Sequence, residues 1–288
     1  MNRFRDAVRK ERLAILAELT VQRESTASDI RRQADLLAPR TDGVQVTDNP
    51  YAWVQMSSLA LSAILLEHGV DAVPIVSCRD RNRRALRADL LGMQGLGVSS
   101  VMLMRGHRVP KNHSVPASTV FDLTGRELIS LAAALEPAGV ERLFIGTGAR
   151  AFRPNRGWRA ESLNARIAAG AGFVQTQLCF NMDILRHYMR RVVAAGLTGK
   201  ITVMVSLSPL PSAETARWVK ENMGDARIPA AVIQRLQEAT DPRQEGIRIC
   251  AELMQEISEV PGVGGVCLLT TGDAEAVAEA IQLSGMKS

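Results

Sequence analysis

The sequence lacks any apolar run long enough to cross a bilayer. The richest run, residues 59–66, is bounded by Gln55 and Glu67, whereas a membrane-spanning helix needs about 18 to 20 consecutive apolar residues. The first residues of the chain contain no continuous apolar signal core, so nothing in them indicates export. We therefore expect a cytoplasmic protein with no membrane partner.

Cysteine is scarce and dispersed, and histidine shows no metal-ligand spacing. The chain has four cysteines and four histidines, with no Cys-x-x-Cys pair and no neighbouring pair of histidines. This usage is typical of buried free thiols in a reducing compartment. We therefore predict no disulfide framework and no metal. The cysteines are Cys78, Cys179, Cys250 and Cys267.

Aromatic residues make up only 4% of the chain, although its formal net charge is +5 and its pI is near 9.3. The positive excess is carried almost wholly by arginines spread along the chain. Proteins that bind single-stranded nucleic acid interleave basic residues with aromatic side chains on which bases stack. The composition therefore favours a phosphorylated or polycarboxylate small molecule over nucleic acid as the anionic partner.

The chain also lacks the glycine patterns of the common nucleotide-binding motifs. Neither a Gly-x-Gly-x-x-Gly unit at a helix start nor a Walker sequence is present, which argues against a separate Rossmann domain. Single glycines do follow strand candidates, as at Gly106, Gly146 and Gly148. These could let the backbone approach a ligand closely.

What the chain does contain is a regular alternation of short apolar runs and longer amphipathic segments. Strands are predicted at residues 13–19, 44–47, 72–77, 101–105, 142–145, 173–177, 201–207 and 263–269. The intervening helices are predicted from residue 26 and over 48–68, 80–96, 125–138, 160–169, 182–195, 212–222, 230–236, 245–260 and 273–283. Eight strand-then-helix units without a break in composition predict an α/β fold, a single (β/α)8 TIM barrel spanning residues 1–288 as one domain.

Residues just past each strand form the active face of such a barrel. Glu18 stands out because it lies inside an apolar run, with residues 14–17 before it and Leu19 after it. Partial burial raises the pKa of a carboxyl group, which can keep a general acid protonated near neutral pH. The alternative is a structural ion pair between Glu18 and one of the many arginines.

Three other features at strand ends leave alternatives open. Gln177 offers an amide donor and acceptor, as recognition of a heterocyclic amide requires. His107 follows Arg105 and Gly106 directly, and both a functional and a structural interpretation stand. A cluster of arginines after the third strand favours a solvated or ion-paired helix face, with phosphate or glutamate carboxylate binding as the alternative. The members of that cluster are Arg79, Arg81, Arg83, Arg84 and Arg87.

Six short motifs, spread along nearly the whole chain, occur in the order in which one known family has them. They are Ala-Glu-Leu-Thr at 17–20, Val-Thr-Asp-Asn-Pro at 46–50, Ser-Cys-Arg-Asp-Arg-Asn-Arg at 77–83, Ala-Asp-Leu-Leu-Gly at 88–92, Ala-Gly-Ala-Gly-Phe-Val-Gln-Thr-Gln at 169–177 and Arg-Ile-Pro-Ala at 227–230. With these motifs the sequence resembles the methylenetetrahydrofolate reductase family. The resemblance is greatest to the short bacterial form, which has no regulatory domain.

The resemblance implies an oxidoreductase of one-carbon metabolism that serves methionine biosynthesis. In this family hydride passes from NADH or NADPH to a flavin at the carboxyl ends of the barrel strands. It then passes to the methylene carbon of 5,10-methylenetetrahydrofolate, which yields 5-methyltetrahydrofolate. The expected cofactor is FAD, with FMN or no flavin as alternatives. A homo-oligomer is expected, and an accessory redox subunit is an alternative partner.

The resemblance also assigns roles to individual residues. Glu18 aligns with the acid that protonates the folate and helps to open its five-membered ring, and Gln177 aligns with a glutamine that contacts the pterin. The remaining positions align with contacts to the flavin. These are Thr47, Arg105 and Gly106, together with Arg166 near the flavin phosphates.

The chain departs from the family pattern at four places. His107 stands where the family usually has an aspartate near the flavin and pterin, so the field at the flavin would change sign or vanish. Ile75 replaces a frequent histidine, Ala213 replaces an aromatic that often covers the folate, and residues 21–24 replace consecutive prolines. These departures motivate a second hypothesis: a folate-binding subunit, or a folate-dependent methyl-transfer protein, that needs a partner and lacks flavin.

Overall fold

Eight parallel strands form a closed barrel in which each strand pairs with its neighbours in sequence and β8 pairs with β1. The computed structural model describes residues 3–10, 12–109, 117–136, 141–223 and 225–287. The strands are β1 (Ala14–Glu18), β2 (Gly43–Val46), β3 (Ala72–Ser77), β4 (Ser100–Met104), β5 (Phe144–Ala149), β6 (Phe173–Leu178), β7 (Thr202–Leu207) and β8 (Val263–Leu268). The predicted (β/α)8 barrel is confirmed.

Helices cover the outside of the barrel and follow each strand. They are α1 (Arg3–Arg9), α2 (Ala27–Leu37), α3 (Ser58–Glu67), α4 (Arg83–Leu96), α5 (Gly125–Ala133), α6 (Glu161–Ala169), α7 (Met182–Ala194), α8 (Ala213–Asn222), α9 (Ala230–Glu238), α10 (Pro242–Ser258) and α11 (Ala274–Ser284). Short 3-10 turns lie at Ala38–Arg40 and Pro50–Ala52. Two helices, α2 and α5, begin with complete capping boxes, at Thr26 with Asp29 and at Thr124 with Glu127. Such boxes satisfy backbone N–H groups that the first helical turn leaves unpaired.

The helix predicted over residues 48–68 was wrong in about its first half, because α3 begins only at Ser58. Asp48 does not cap a helix, because its carboxylate accepts hydrogen bonds from the backbone N–H and hydroxyl of Ser77, both at 2.8 Å. Asn49 adopts a left-handed conformation, and a 3-10 turn follows it. Helix α3 begins only at Ser58, where the side chain of Ser57 accepts from the N–H of Ala60.

Other boundaries also differ from the sequence prediction. Helix α4 begins at Arg83 rather than at residue 80, because Asn82 caps it by accepting from the N–H groups of Arg84 and Ala85. Strand β5 lies slightly later than predicted, and α5 ends earlier. The amino-terminal helix α1 was not predicted, since seven residues with one apolar stripe give a weak periodic signal.

Helix α1 closes the amino-terminal end of the barrel. Phe4 is fully buried and its ring lies 5.3 Å from Phe173 in an edge-on arrangement and 5.9 Å from Phe144. Strand β5 provides room for this cluster at Gly146, where an added Cβ would lie 2.0 Å from the Phe173 ring. The barrel interior is therefore filled at its base by these rings.

The cysteines fit the prediction of buried free thiols, since all four are buried and none forms a disulfide. Most lie in the layer between strands and helices, while Cys267 lies inside the barrel. In the part of the chain that the structure describes, no helix is long and apolar enough to cross a membrane.

Candidate active site

A cavity of about 470 Å³ lies at the carboxyl ends of the strands, the end of the barrel that Phe4 leaves open. Its wall is built from the ends of β1, β2, β3, β4, β6, β7 and β8 and from one side of α8. Four of the predicted site residues, from three different strand ends, line it. They are Glu18 after β1, Thr47 after β2, and Gly106 and His107 after β4.

Glu18 is the last residue of β1, and its side chain lines this cavity. Among the described residues it forms no hydrogen bond and no ion pair, so the alternative of a structural pair with arginine is not observed. Burial raises the pKa of Glu18 to about 8, because the surrounding groups solvate a carboxylate poorly. We therefore expect Glu18 to be protonated at neutral pH in a position where its carboxyl group lines the cavity.

A buried polar layer lies inside the barrel beside Glu18, which pairs with Gln45 in the register of β1 and β2. Gln45 donates to the amide oxygen of Gln175 at 2.9 Å, and Gln175 donates to the hydroxyl of Ser206 at 3.2 Å. The Cys267 thiol donates to Gln45 at 3.5 Å. The layer offers Glu18 no basic partner, because its polar groups bond one another.

The wall at β2 and β3 is fixed by a network of ion pairs. The carboxylate of Asp48 is 4% exposed and pairs with Arg81, which also pairs with Asp89 at 3.0 Å. Arg79 is equally buried and pairs with Asp80 at 2.7 Å. These two arginines precede α4, so the prediction that the whole cluster lies on a helix face was wrong for them. The other three lie on α4 and are exposed.

The residues that follow β4 point in two directions. Gly106 has a φ of +80°, and a Cβ there would lie 3.1 Å from that of Arg79 and 3.2 Å from that of Ser77, so the close passage requires glycine. His107 is exposed at the edge of the cavity. Arg105 faces away from it, with its guanidinium carbon 4.6 Å from the centre of the Phe121 ring.

Arg105 belongs to a second cleft of about 550 Å³ between the loops after β4 and β5. Arg126 and Arg166 also line it, beside the start of α5 and one acidic residue, Glu161. None of the three arginines forms an ion pair with a described residue. Burial lowers the pKa of Arg166, and the nearby charge of Arg126 lowers it further. We call this the arginine cleft. It meets the main cavity at Met104, which lines both.

Gln177 does not reach the main cavity. Its amide donates to the carbonyl of Ala151 and accepts from the N–H of the same residue, both at 2.9 Å. The side chain thus holds the loop after β5 against β6. Its predicted contact with a pterin stays a prediction, and it would require these two bonds to be exchanged for bonds to the ligand.

Sequence reasoning missed three residues that the structure places at these sites. Tyr51 and Trp218 are about half exposed and line the main cavity, and Arg126 joins the arginine cleft. Tyr51 falls in the part of the predicted helix 48–68 that is not α-helical. Trp218 lies on α8 and not at a strand end. In the described part of the chain, no group of three potential metal ligands is present.

Comparison with known proteins gives one family and one fold. The family model of methylenetetrahydrofolate reductase matches residues 3–285, while a search of curated proteins finds no match. Among solved structures, Mycobacterium tuberculosis tryptophan synthase is 13% identical with a TM-score of 0.55, covering 99% of this chain and 96% of that one. A Yersinia pestis DHPS with a pterine-sulfa conjugate is 12% identical with a TM-score of 0.50, covering 95% and 93%. At these identities the structural likeness shows the barrel fold alone.

Proposed function

Because this chain belongs to the methylenetetrahydrofolate reductase family, we propose that it reduces 5,10-methylenetetrahydrofolate to 5-methyltetrahydrofolate with NADH or NADPH. The observation that carries the proposal is Glu18, a carboxyl group that lines the cavity, pairs with no described residue and has a pKa that burial raises to about 8. A ring-opening reduction needs a proton donor at neutral pH, and Glu18 has the position and the protonation state for that role.

The methylene carbon of the substrate bridges two nitrogens of the folate. Glu18 donates its proton to one of them, and the bond from that nitrogen to the methylene carbon breaks. The carbon is left as an iminium on the other nitrogen, where it accepts a hydride and becomes a methyl group. Substrate, NAD(P)H and one proton are consumed, and methyl product and NAD(P)+ are formed. The ionised Glu18 recovers its proton from solvent through the open mouth of the cavity.

The chain's residues fit a dinucleotide cofactor such as FAD. Three arginines that pair with no carboxylate among the described residues line the arginine cleft, which suits a diphosphate. Gly148 leaves open space there, since an added Cβ would meet only the Met104 side chain, at 3.9 Å. Bound flavin would supply hydride transfer between nicotinamide and folate. Thr47, Arg105, Gly106 and Arg166 are the residues that we assign to holding it.

His107 changes the charge that this site can present to a flavin. Its imidazole lies at the edge of the cavity, where the family usually has a carboxylate, so it cannot supply the same negative charge beside a flavin ring. Direct hydride transfer from nicotinamide to the folate would need no flavin. A folate-binding subunit that depends on a partner protein is the second candidate.

An anaerobic absorbance spectrum, recorded before and after addition of 5-methyltetrahydrofolate, tests these versions together. We expect a flavin spectrum that bleaches as the flavin is reduced. Colourless protein that oxidises NAD(P)H only with methylenetetrahydrofolate present would select direct transfer. Folate binding without turnover, whether nicotinamide or an artificial electron donor is supplied, would contradict the reductase and favour the subunit.

A further inference from the structure

Two exposed aromatic side chains line the mouth of the main cavity. Tyr51 is 54% exposed and Trp218 is 53% exposed, and both belong to the cavity wall. Large aromatic side chains left uncovered in a concave site are typical of surfaces that bind planar ligands, because a ring can be covered on its face by another ring.

Tyr51 is held in place by a strained loop. Asn49, Tyr51 and Ala52 have φ values of 46°, 53° and 68°, in the left-handed region that residues other than glycine rarely adopt. The conformation is fixed at Asn49, whose carbonyl accepts from Arg79 at 3.0 Å and whose side-chain oxygen accepts from the N–H of Gln55 at 3.1 Å. Strain maintained by such contacts is common where a side chain is preorganised for a ligand.

Tyr51 also reaches the opposite wall of the cavity. Its hydroxyl donates to the sulfur of Met223 at 3.6 Å, and Met223 ends the helix that carries Trp218. The contact joins the loop after β2 to α8 across the mouth. Because a thioether sulfur is a weak hydrogen-bond acceptor, a ligand that enters between the two walls would break only a weak hydrogen bond.

The position of these aromatics separates them from the arginine cleft. Tyr51 follows β2 and Trp218 follows β7, whereas the cleft lies between the loops after β4 and β5. In the barrel order, the two aromatics therefore lie on the side that carries Glu18 on β1, and the three arginines of the cleft lie on the other side. A planar ligand bound at the aromatics would lie in the same cavity as Glu18 without occupying the arginine cleft.

We propose that Tyr51 and Trp218 bind the planar rings of the folate by stacking, and that Tyr51 positions the folate for Glu18. This inference rests on the proposed function. Burial and the charge of Glu18 both raise the pKa of Tyr51, which is consistent with the two side chains serving one ligand. The tyrosine is a positioning residue, since it stacks on the substrate and takes no part in proton or hydride transfer.

The test is equilibrium binding of 5-methyltetrahydrofolate and of NADH or NADPH to the purified full-length protein and its variants. Tyr51→Asn removes the ring but tolerates the left-handed backbone, and Trp218→Ala removes the opposite ring without touching the loop. We expect each to weaken folate binding roughly tenfold, with dinucleotide binding changed less than about twofold. Tyr51→Phe keeps the ring and is expected to bind folate within about twofold of the wild type.

Trp53→Leu is the matched control, because Trp53 is exposed in the same loop but does not line the cavity. We expect it to bind folate normally. Unchanged folate affinity in both Tyr51→Asn and Trp218→Ala would overturn the inference, as would equal losses for folate and dinucleotide or an equal loss in the control. A wild-type protein that binds no folate would instead refute the proposed function, and the inference with it.

Discussion

The two ends of this barrel treat a buried carboxyl group in opposite ways. At the amino-terminal end Asp71 is 1% exposed and accepts a hydrogen bond from the backbone N–H of Phe4 at 3.0 Å, beneath the aromatic cluster that fills the barrel. At the other end Glu18 faces a cavity and bonds to no described residue. Burial raises the pKa of both groups. One carboxyl is therefore covered by the chain, and the other is left open for a ligand.

A second carboxylate at the base makes the contrast clearer. Asp42 is buried, but it pairs with Arg12 and Lys287 and accepts from the N–H of Ile15. The base supplies two cations to one aspartate, whereas no described cation pairs with Glu18 at the mouth, although the ion-paired Arg79 lines the same cavity. Desolvation without a counter-charge is how a carboxyl remains protonated for acid catalysis.

The largest expected effect comes from removing the carboxyl at the mouth. Glu18→Gln keeps the size and polarity of the side chain but cannot give up a proton at neutral pH, so we expect kcat to fall about 10² to 10⁴-fold. The affinity for 5-methyltetrahydrofolate should change less than about threefold. Steady-state kinetics and equilibrium binding measure the two quantities. The control is Asp71→Asn, which should keep wild-type kcat. A Glu18→Gln enzyme with normal kcat would show that the carboxyl group at the mouth is no more needed for catalysis than the one at the base.

The aromatic cluster at the base should affect stability and not chemistry. Phe4→Ala removes a fully buried ring that contacts Phe144 and Phe173, so we expect the free energy of unfolding to fall by about 3 to 5 kcal/mol. Denaturant titration measures this change. The kcat of the folded variant should equal that of the wild type at a temperature where both are native. A loss of kcat without a loss of stability would show that the base contributes to the site.

Asp71 predicts a pH dependence of stability. Its pKa is about 6 in the folded protein and 3.8 when unperturbed, so between these values the folded state holds a proton that the unfolded state has lost. The free energy of unfolding should therefore fall as pH rises from about 4 to 6, by about 3 kcal/mol in total, and level off above. Denaturant titrations across this range test it. Asp71→Asn retains an acceptor for Phe4 and should flatten the curve, and an unchanged slope would contradict the assignment.

The smallest expected effect concerns the arginine cleft. Arg166→Gln removes one cation that pairs with no carboxylate in the described part of the chain, and we expect the bound dinucleotide, whether flavin or nicotinamide, to be held roughly tenfold less tightly. Calorimetric titration measures the affinity. Arg190→Gln is the control, because Arg190 lies in a groove beside α7 and α10 that shares no residue with the cleft. Equal losses in the two variants would point to general electrostatics and not to a phosphate site.

The sequence predicts the barrel well because its signals are repeated. Eight alternations of strand and helix, with capping residues such as Thr26 and Asp273, each point to the same architecture. The prediction fails where the same residues are compatible with two local structures. Asp48, Asn49 and Pro50 resemble a helix start, but the buried carboxylate is needed by Ser77 and Arg81, and the backbone turns left-handed instead.

The candidate site could be predicted only in part. Glu18 was identifiable because a charged residue inside an apolar run is a local pattern, and the structure places it in the cavity. Tyr51 and Trp218 lie 167 positions apart, and only the closure of the barrel brings them to one mouth. Gln177 shows the converse: its place at the end of a strand is predictable, but its bonds to Ala151 depend on a loop from another strand.

The central claim is that Glu18 holds its proton at neutral pH, and infrared difference spectroscopy measures this directly. The protonated carboxyl band that is present in the wild type and missing from Glu18→Gln should be followed as a function of pH in the ligand-free protein. The account predicts that this band persists at pH 7 and reaches half its intensity near pH 8. A band already lost by pH 6 would contradict it, because Glu18 would then be an ordinary carboxylate with no proton to donate.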